Sequence, residues 1–365
     1  MFSSDIGTSF MIRLPFVRYN PIGIDIGSKS IKMVQFTKNY DAIQEAAIVD
    51  LPPELSPESD FEGYLHGLGQ TLQRSRVGRH FRGNDAIVCV HQRDLFLHNI
   101  RVGKSDPKAL SNIVHQEAAD RIPYSMLDAE IRFIESEDIR QGDQLLREVI
   151  IMACFRPRLE ALLETIEKSG FRPASVDVEP MAVLRSFTSQ YRREADEEDR
   201  VLYVHVGYTN TVVIIAQGNQ ILFVKYIDVG GRHFDEAVSR QLDMSLSDAI
   251  NLRKHNSDRR RSQQTPEVER SVINAMRDEL ERLQTELSMC IRYHSVTFRG
   301  KPLVRLVLSG GEATESLRGE LERVAGLTTE LGDPLRIYDC SQNFGRHSQW
   351  DVAVGLAARR LGGAK

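Results

Sequence analysis

The chain has few cysteines, a single tryptophan, no excess of positive charge and no long apolar run, and each scarcity removes a class of protein. Cys89, Cys154, Cys290 and Cys340 are its four cysteines among 365 residues. They lie far apart, mostly in apolar runs, with no CxxC pair and no Cys/His cluster at zinc spacing. That excludes a disulfide framework and a zinc module, and leaves reduced core thiols in a cytoplasmic protein as the expectation. Lys and Arg number 47 against 51 Asp and Glu, a net charge of −4, so no general field draws the chain to nucleic acid or anionic lipid. No window holds the roughly 18 apolar residues that a membrane span requires. Residues 1–20 contain Phe2, Ile6, Phe10, Met11, Ile12, Leu14, Phe16 and Val17, yet they lack a positive n-region and Arg13 interrupts the run, which excludes a secretory signal. Two readings stay open for this stretch: an extension without fixed structure, and a segment lying on a membrane surface or a partner.

What remains is ordinary soluble composition, 27% charged and 41% apolar, in a chain long enough for two domains with a core each. The most informative stretch is residues 21–34, Pro-Ile-Gly-Ile-Asp-Ile-Gly-Ser-Lys-Ser-Ile-Lys-Met-Val. An apolar strand ends at Asp25, turns through Gly27 and Ser28, and restarts at Ile31. Small residues in such a turn let backbone N–H groups line a concavity that cradles a phosphate, while Lys32 adds positive charge. Asp25 is placed to hold a hydrated Mg²⁺ opposite them. An ordinary β-hairpin turn uses the same residue types and is the alternative. Residues 201–215 repeat the order strand, turn at Gly207, strand. A third glycine turn, Leu308-Ser309-Gly310-Gly311-Glu312-Ala313, follows an apolar strand over 303–308 and opens a helical pattern.

Two phosphate-type hairpins in separate halves and a late Gly-Gly turn resemble the actin-like ATPase superfamily. A finer resemblance is carried by Asp177-Val178-Glu179-Pro180-Met181-Ala182, Ala119-Asp120-Arg121-Ile122-Pro123-Tyr124, the Ser309-Gly310-Gly311-Glu312-Ala313 turn and the closing Val354-Gly355-Leu356-Ala357. These look like the PilM family, the cytoplasmic actin-like component of type IV pilus assembly, in the same order over roughly residues 21–360. The cell-division protein FtsA is similar in layout and matches less well at 177–182. The resemblance implies an α/β fold of actin-like ATPase type, two duplicated α/β domains around a nucleotide cleft, with an inserted 1C subdomain as in FtsA and PilM. The implied first domain covers 21–92 and 172–192, the insert 93–171, a linker 193–200 and the second domain 201–365, whose 2B part spans about 245–300. ATP and Mg²⁺ are the implied cofactors. The residues carried over to hold them are Asp25, Gly27, Ser28, Lys29, Ser30, Lys32, Gly207, Tyr208, Thr209, Gly230, Gly231, Arg253, Gly310, Gly311 and Glu312, with Asp25 toward the metal. The implied partner is the cytoplasmic N-terminal peptide of a PilN-like inner-membrane protein, gripped between first domain and insert. Ile122, Pro123 and Tyr124 are candidates for the groove wall, with local core packing as the alternative. Other inner-membrane components of the pilus and self-association are further implied contacts, at a cytoplasmic location made peripheral to the inner membrane by these partners.

Along the chain, residues 42–51 read as a strand, Pro52-Pro53 ends it, and Phe61, Tyr64, Leu65, Leu68 and Leu72 give 61–72 helical spacing. A strand over 86–90 follows. Residues 93–171 then read as a βαββα unit: strand 95–102, helix, strands 129–136 and 145–155, helix. Asp106 suits the cap of its first helix and Pro107 the first position; Leu110, Ile113, Val114 and Ala118 form the stripe and Pro123 stops it. The second starts at Pro157, carries Leu159, Leu162, Leu163 and Ile166, and ends at Gly170. The charge run 191–200 reads as a solvated link, and 255–265, with Arg259-Arg260-Arg261, as an exposed loop. Met276, Leu280, Leu283, Leu287, Cys290 and His294 share one seam of the longest helix, which suits packing on its own domain or a short coiled coil.

Two departures from the family pattern bear on chemistry. Where the second hairpin is expected to read Asp-x-Gly, this chain has His205-Val206-Gly207. A neutral imidazole brings no negative charge, and hard Mg²⁺ prefers oxygen. His205 acting as base on the attacking water is the other route to activity. Where PilM-like chains read Ala-Glu-x-Leu-Lys, this one has Ala249-Ile250-Asn251-Leu252-Arg253; Ile250 offers a ribose no hydrogen bond, while Arg253 keeps a charge for the adenine side. The expectation is a scaffold that binds ATP with weak or no hydrolysis, a pseudo-ATPase. An active ATPase or small-molecule kinase of the same superfamily, and an FtsA-like adaptor, are the alternatives.

Overall fold

The computed structural model describes residues 19–103, 107–258, 266–298, 300–340 and 342–360. The expectations for residues 1–18, for the Asp106 cap and for Arg259, Arg260 and Arg261 fall outside them. The chain opens with an antiparallel meander of β1 (Ile22–Ile26), β2 (Ser30–Phe36) and β3 (Ile43–Asp50). Helix α1 (Phe61–Ser75) follows, started by Asp60, whose carboxylate accepts from the Gly63 N–H and satisfies one of the free donors of the first turn. Strand β4 (Asp85–Val90) then runs parallel to β1. Here the chain leaves the sheet for β5 (Leu95–Gly103), α2 (Pro107–Ala119), β6 (Ala129–Gln141) and β7 (Gln144–Phe155), a three-stranded antiparallel sheet in the order β5-β7-β6. It returns through α3 (Arg156–Lys168) to β8 (Arg172–Val178), which completes a five-stranded sheet in the order β3-β2-β1-β4-β8.

After α4 (Glu179–Thr188) and the single turn α5 (Glu194–Glu198), the plan repeats. The strands β9 (Arg200–Val206), β10 (Thr211–Gln217) and β11 (Gln220–Ile227) form a second meander. Helices α6 (Gly231–Gln241), α7 (Leu246–Asp258), α8 (Pro266–Ala275) and α9 (Arg277–Thr297) follow. Then come β12 (Leu303–Ser309), α10 (Glu315–Ala325), β13 (Thr328–Leu331) and α11 (Asp351–Ala357). The second sheet has the order β11-β10-β9-β12-β13, with the same parallel and antiparallel pairings as the first. Strand for strand the two are duplicates, although the sequence shows the repeat only in its hairpins.

Both sheets are covered on both faces, which is why their central strands read as unbroken apolar runs. Leu68 and Leu72 of α1 and Ile166 of α3 pack on Ile24, Met33 and Val88. Helix α11 covers the opposite face through Ala353, Val354 and Ala357 against Val34 and Phe36. It crosses α4 in backbone contact: a Cβ on Gly355 would stand 1.8 Å from the Ala182 carbonyl oxygen. Val352 and Leu356 meet Phe187, Val201 and Tyr203, so α4 and α11 fill the joint between the sheets. On the outer face of the second sheet, α9 buries Leu280, Leu283, Leu287 and Cys290, each leucine worth about 2 kcal/mol of burial. Its seam packs on its own unit.

Three local readings are corrected. Helix α3, expected to close the inserted unit, instead places Ile166 in the core of the first sheet with Leu162 and Leu163 against it. The three-stranded sheet keeps only α2, whose Leu110, Val114 and Ala118 cover Ile100, Val149 and Ile151. Its other face meets the second unit. Ile139 joins the core of Leu222 and Leu287, Ile150 that of Val224, and Asn99 and Ser136 donate to the Val224 and Leu222 carbonyls at 3.0 and 3.1 Å. Strand β6 runs on to Gln141 through the acidic stretch 135–138, because Arg147 pairs with Asp138 at 2.6 Å and with Glu135. Arg200, expected in a solvated link, is 3% exposed; it pairs with Glu137 and donates to the Phe298 carbonyl at 3.2 Å.

Candidate functional site

The two meanders present equivalent turns to one cleft. In the first, the Gly27 N–H donates to the Ser30 carbonyl at 3.1 Å; in the second, the Gly207 N–H donates to the Asn210 carbonyl at 2.9 Å. The register is the same in both, and the side chains separate them. Asp25 stands opposite Lys32 and its carboxylate accepts from Lys32 Nζ at 3.2 Å, whereas His205 stands opposite Val212. The tips meet: Ser28 Oγ lies 3.2 Å from Thr209 Oγ1. Ser28 is also 3.3 Å from His91 Nε2. Burial, with Arg93 nearby, pulls the His91 pKa down to about 3, so the ring is neutral. Its Nδ1 accepts from the Arg93 N–H at 3.2 Å, which leaves the ring proton on Nε2 to be donated to Ser28. Lys29 reaches across the cleft, 3.6 Å from the Tyr208 ring centre and 3.5 Å from Asp235. Burial lowers its pKa while Asp235 and Glu312 raise it.

The floor of the cleft is a buried ionic cluster centred on His205. Nδ1 lies 2.6 Å from Asp351 Oδ2, and Nε2 3.5 Å from Glu179 Oε1. Burial pulls the imidazole pKa down, but Asp351 and Glu179 outweigh it and hold the pKa at about 9. Asp351 is correspondingly kept below the usual carboxylate range despite full burial, while burial holds Glu179 above it, with His205 acting in the opposite sense. At neutral pH the ring is therefore a cation. An imidazolium has no lone pair with which to take a proton from water, so it cannot act as a general base there.

Of the residues expected at the site, Asp25, Gly27, Ser28, Lys29, Ser30, Lys32, Gly207, Tyr208, Thr209, Gly311 and Glu312 line this cleft of about 170 Å³. Four sit behind its wall. Side chains at Gly230 and Gly231 would collide with the turn at 207–210 and with Glu312, so these glycines serve close packing. Gly310, at φ +97°, leaves only 2.4 Å between a would-be Cβ and the Val206 carbonyl oxygen. Arg253 is a strut rather than a free charge: Nε is 2.7 Å from Asp235 and Nη1 2.6 Å from Glu312. Burial lowers its pKa, but Glu312 and Asp235 more than reverse that. Beyond the Arg253–Glu312 pair lies a smaller hollow of about 40 Å³, lined by Phe234, Val272, Ile273, Met276, Leu280 and Leu317. His91, Gln92, Glu179 and Asn210 also line the cleft and were not among the expected site residues. His91 and Gln92 follow the end of strand β4, a position with no motif of its own.

The cleft fits a polyphosphate better than a metal ion. Hydroxyls of Ser28, Ser30 and Thr209 and the ammonium groups of Lys29 and Lys32 line it, and such groups donate to anions. Asp25, expected to hold Mg²⁺, is paired with Lys32, and both carboxylates of the floor are turned to His205. Among the described residues no group of three or more His, Cys, Asp or Glu is arranged to hold a metal ion. At the other expected site, Ile122 is buried with Val114 and Ala129 in the insert core, Tyr124 is half-buried with its ring 5.5 Å from that of Phe155, and Pro123 is exposed.

A family model described as type IV pilus assembly protein PilM matches residues 23–361. Among solved structures, the PilM-PilN type IV pilus biogenesis complex is similar with a TM-score of 0.77 at 20% identity, over 93% of this chain and 98% of that one. The ethanolamine utilization protein EutJ from Carboxydothermus hydrogenoformans gives 0.56 at 12% identity, over 93% and 89%. No curated protein matches the chain in sequence.

Proposed function

The chain belongs to the type IV pilus assembly protein PilM family, with its actin-like ATPase fold, and from that membership we propose a nucleotide-binding scaffold that docks the cytoplasmic N-terminal peptide of a PilN-like inner-membrane protein. ATP is the proposed nucleotide, bound with weak or no hydrolysis. The observation that carries the nucleotide reading is the meeting of two equivalent glycine turns, Ser28 to Thr209 at 3.2 Å, over a cleft lined by Lys29 and Lys32. Calorimetric titration with ATP tests it: binding that Lys32→Ala weakens is expected, and the absence of both heat and thermal shift at millimolar ATP refutes it. The proposal of little turnover follows from His205, which as an imidazolium offers neither a metal ligand nor a base. One observation favours the alternative of an active ATPase: Glu179 lines the cleft with its carboxyl pKa raised by burial, as suits a general base. Phosphate release at several per second, an ordinary enzyme rate, that Glu179→Gln abolishes would establish that alternative.

Among the described residues no helix is long and apolar enough to cross a membrane, so on this reading the protein reaches the inner membrane by holding a partner that spans it. Both faces of the inserted sheet are covered, by α2 and by the second unit, whereas among the described residues β5 and β6 each pair only with β7. Their outer edges suit strand addition by an extended peptide. The end of this sheet at Leu95, Cys154 and Ala129 abuts the first unit, where Arg158 pairs with Asp94 at 2.9 Å and stacks 4.1 Å from the Phe61 ring. Co-purification with the membrane protein should be lost in a folded Pro123→Asp/Tyr124→Ala variant; undiminished capture removes this corner as the docking surface.

A further inference from the structure

The duplicated hairpins agree in backbone and disagree in charge at one position. Asp25 and His205 occupy matching places, each two residues before the turn glycine on the central strand of its sheet. A carboxylate at 205 would join Asp25 and Glu179 at the cleft and make an anionic, oxygen-lined floor, which is what attracts a divalent cation. The structure has the reverse. Nδ1 and Nε2 of His205 each face a carboxylate, Asp351 and Glu179, and only the protonated ring offers a donor on both nitrogens. Exchanging a carboxylate for an imidazolium adds two units of positive charge, the charge of one Mg²⁺ ion. Lys32 meanwhile takes up Asp25 at 3.2 Å, so the matching carboxylate of the first hairpin is balanced from within the protein as well.

We propose that this cleft takes the polyphosphate of its nucleotide without a divalent metal, with the fixed side chain of His205 in place of the ion. This rests on the nucleotide reading and deepens it by naming the form of ligand bound. In the proposed complex, His205 keeps Asp351 and Glu179 neutralised while Lys29 and Lys32 supply the donors to phosphate oxygens. No proton or phosphoryl group moves.

The test is calorimetric titration of the full chain with ATP in excess Mg²⁺ and in excess EDTA. The wild type is expected to bind with affinities within about threefold of each other. His205→Asp, which restores the carboxylate, is expected to bind in Mg²⁺ and to weaken about tenfold or more in EDTA. Wild-type binding that EDTA weakens about tenfold or more overturns the metal-free proposal and leaves the nucleotide reading standing. Absence of binding in both buffers, from a chain that melts cooperatively, overturns both. The wild-type comparison decides the proposal whether or not the variant folds.

Discussion

Replacing His205 by asparagine should flatten the alkaline limb of the protein's stability profile. The folded-state pKa of His205, about 9, lies above the ordinary value of 6.5 because the attraction of Asp351 and Glu179 exceeds the cost of burial. A folded state that binds a proton more tightly than the unfolded chain is stabilised by it fully below pH 6.5. That stabilisation declines between 6.5 and 9 and is gone above. One pKa unit is worth about 1.4 kcal/mol, so the rise amounts to about 3 kcal/mol. Two other histidines act on the acid side: loss of solvation lowers His91 to about 3 and His294 to about 4, so both favour unfolding as pH falls below 6.5. Lys29, lowered by burial, titrates in the opposite sense at high pH and is common to both proteins.

Urea unfolding can be followed through Trp350, the chain's single tryptophan, which is buried next to Asp351. Between about pH 6 and 9 the wild type should lose about 3 kcal/mol more than His205→Asn. The variant is expected to be less stable throughout the neutral range, since Asp351 is left buried without its cation; the difference in slope, not the offset, carries the test. Parallel profiles above pH 6.5 would show that His205 is neutral in the folded protein, and would remove the charge argument for the cleft.

Lys32→Ala removes a charge-assisted donor worth about 1.5–3 kcal/mol and should weaken ATP binding about tenfold or more by calorimetry; unchanged affinity would place the phosphates elsewhere. Arg253→Met leaves Asp235 with Lys29 alone and Glu312 without its strut and should cost about 2–3 kcal/mol without any ligand present, whereas a residue serving only the nucleotide would leave the ligand-free melt unmoved. Gly310→Ala forces a Cβ against the Val206 carbonyl from a left-handed backbone and should cost about 2 kcal/mol or more in chemical denaturation; a wild-type midpoint would mean that the turn relaxes freely.

Local periodicity made most elements legible. The strand read at 42–51 is Ile43–Asp50, the helix read at 61–72 is Phe61–Ser75, and the seam from Leu280 to His294 is buried as its spacing required. What periodicity cannot state is the identity of the surface that a stripe meets. Leu162, Leu163 and Ile166 announce a buried face on α3, but nothing local says that it belongs to the first sheet. The acidic stretch 135–138 reads as a strand end because its compensating partners, Arg147 and Arg200, are brought to it only by the fold. The site divides in the same way. The hairpin turns are local motifs and were visible, whereas His205 meets Asp351 from 146 positions away, and an acid opening an apolar helix looks like any other N-terminal acid. The glycine pairs were carried over as nucleotide-holding residues, and only the fold says what each one meets: protein backbone at 230 and 310, the Glu312 side chain at 231, and open cleft at 311.

The contacts that join the two units bear on how a nucleotide would act here. Ser28 meets Thr209, Lys29 meets Asp235 and Tyr208, and His205 joins β9 to α4 and α11, all through the protein's own side chains. The inserted sheet, continuous with the first unit, adds apolar contacts to β11, and its Glu148 lies 2.5 Å from the Tyr293 hydroxyl of α9. A ligand shifts a closure equilibrium only by its preference for one state over the other. Where side-chain contacts across the cleft already favour closure, a nucleotide has less closure left to drive. Its larger effect is then to add stability to an arrangement that exists without it, by an amount set by concentration over dissociation constant. That behaviour suits a protein whose proposed work is to present a fixed surface to a membrane partner, and it suits poorly a motor that must open and close once per turnover.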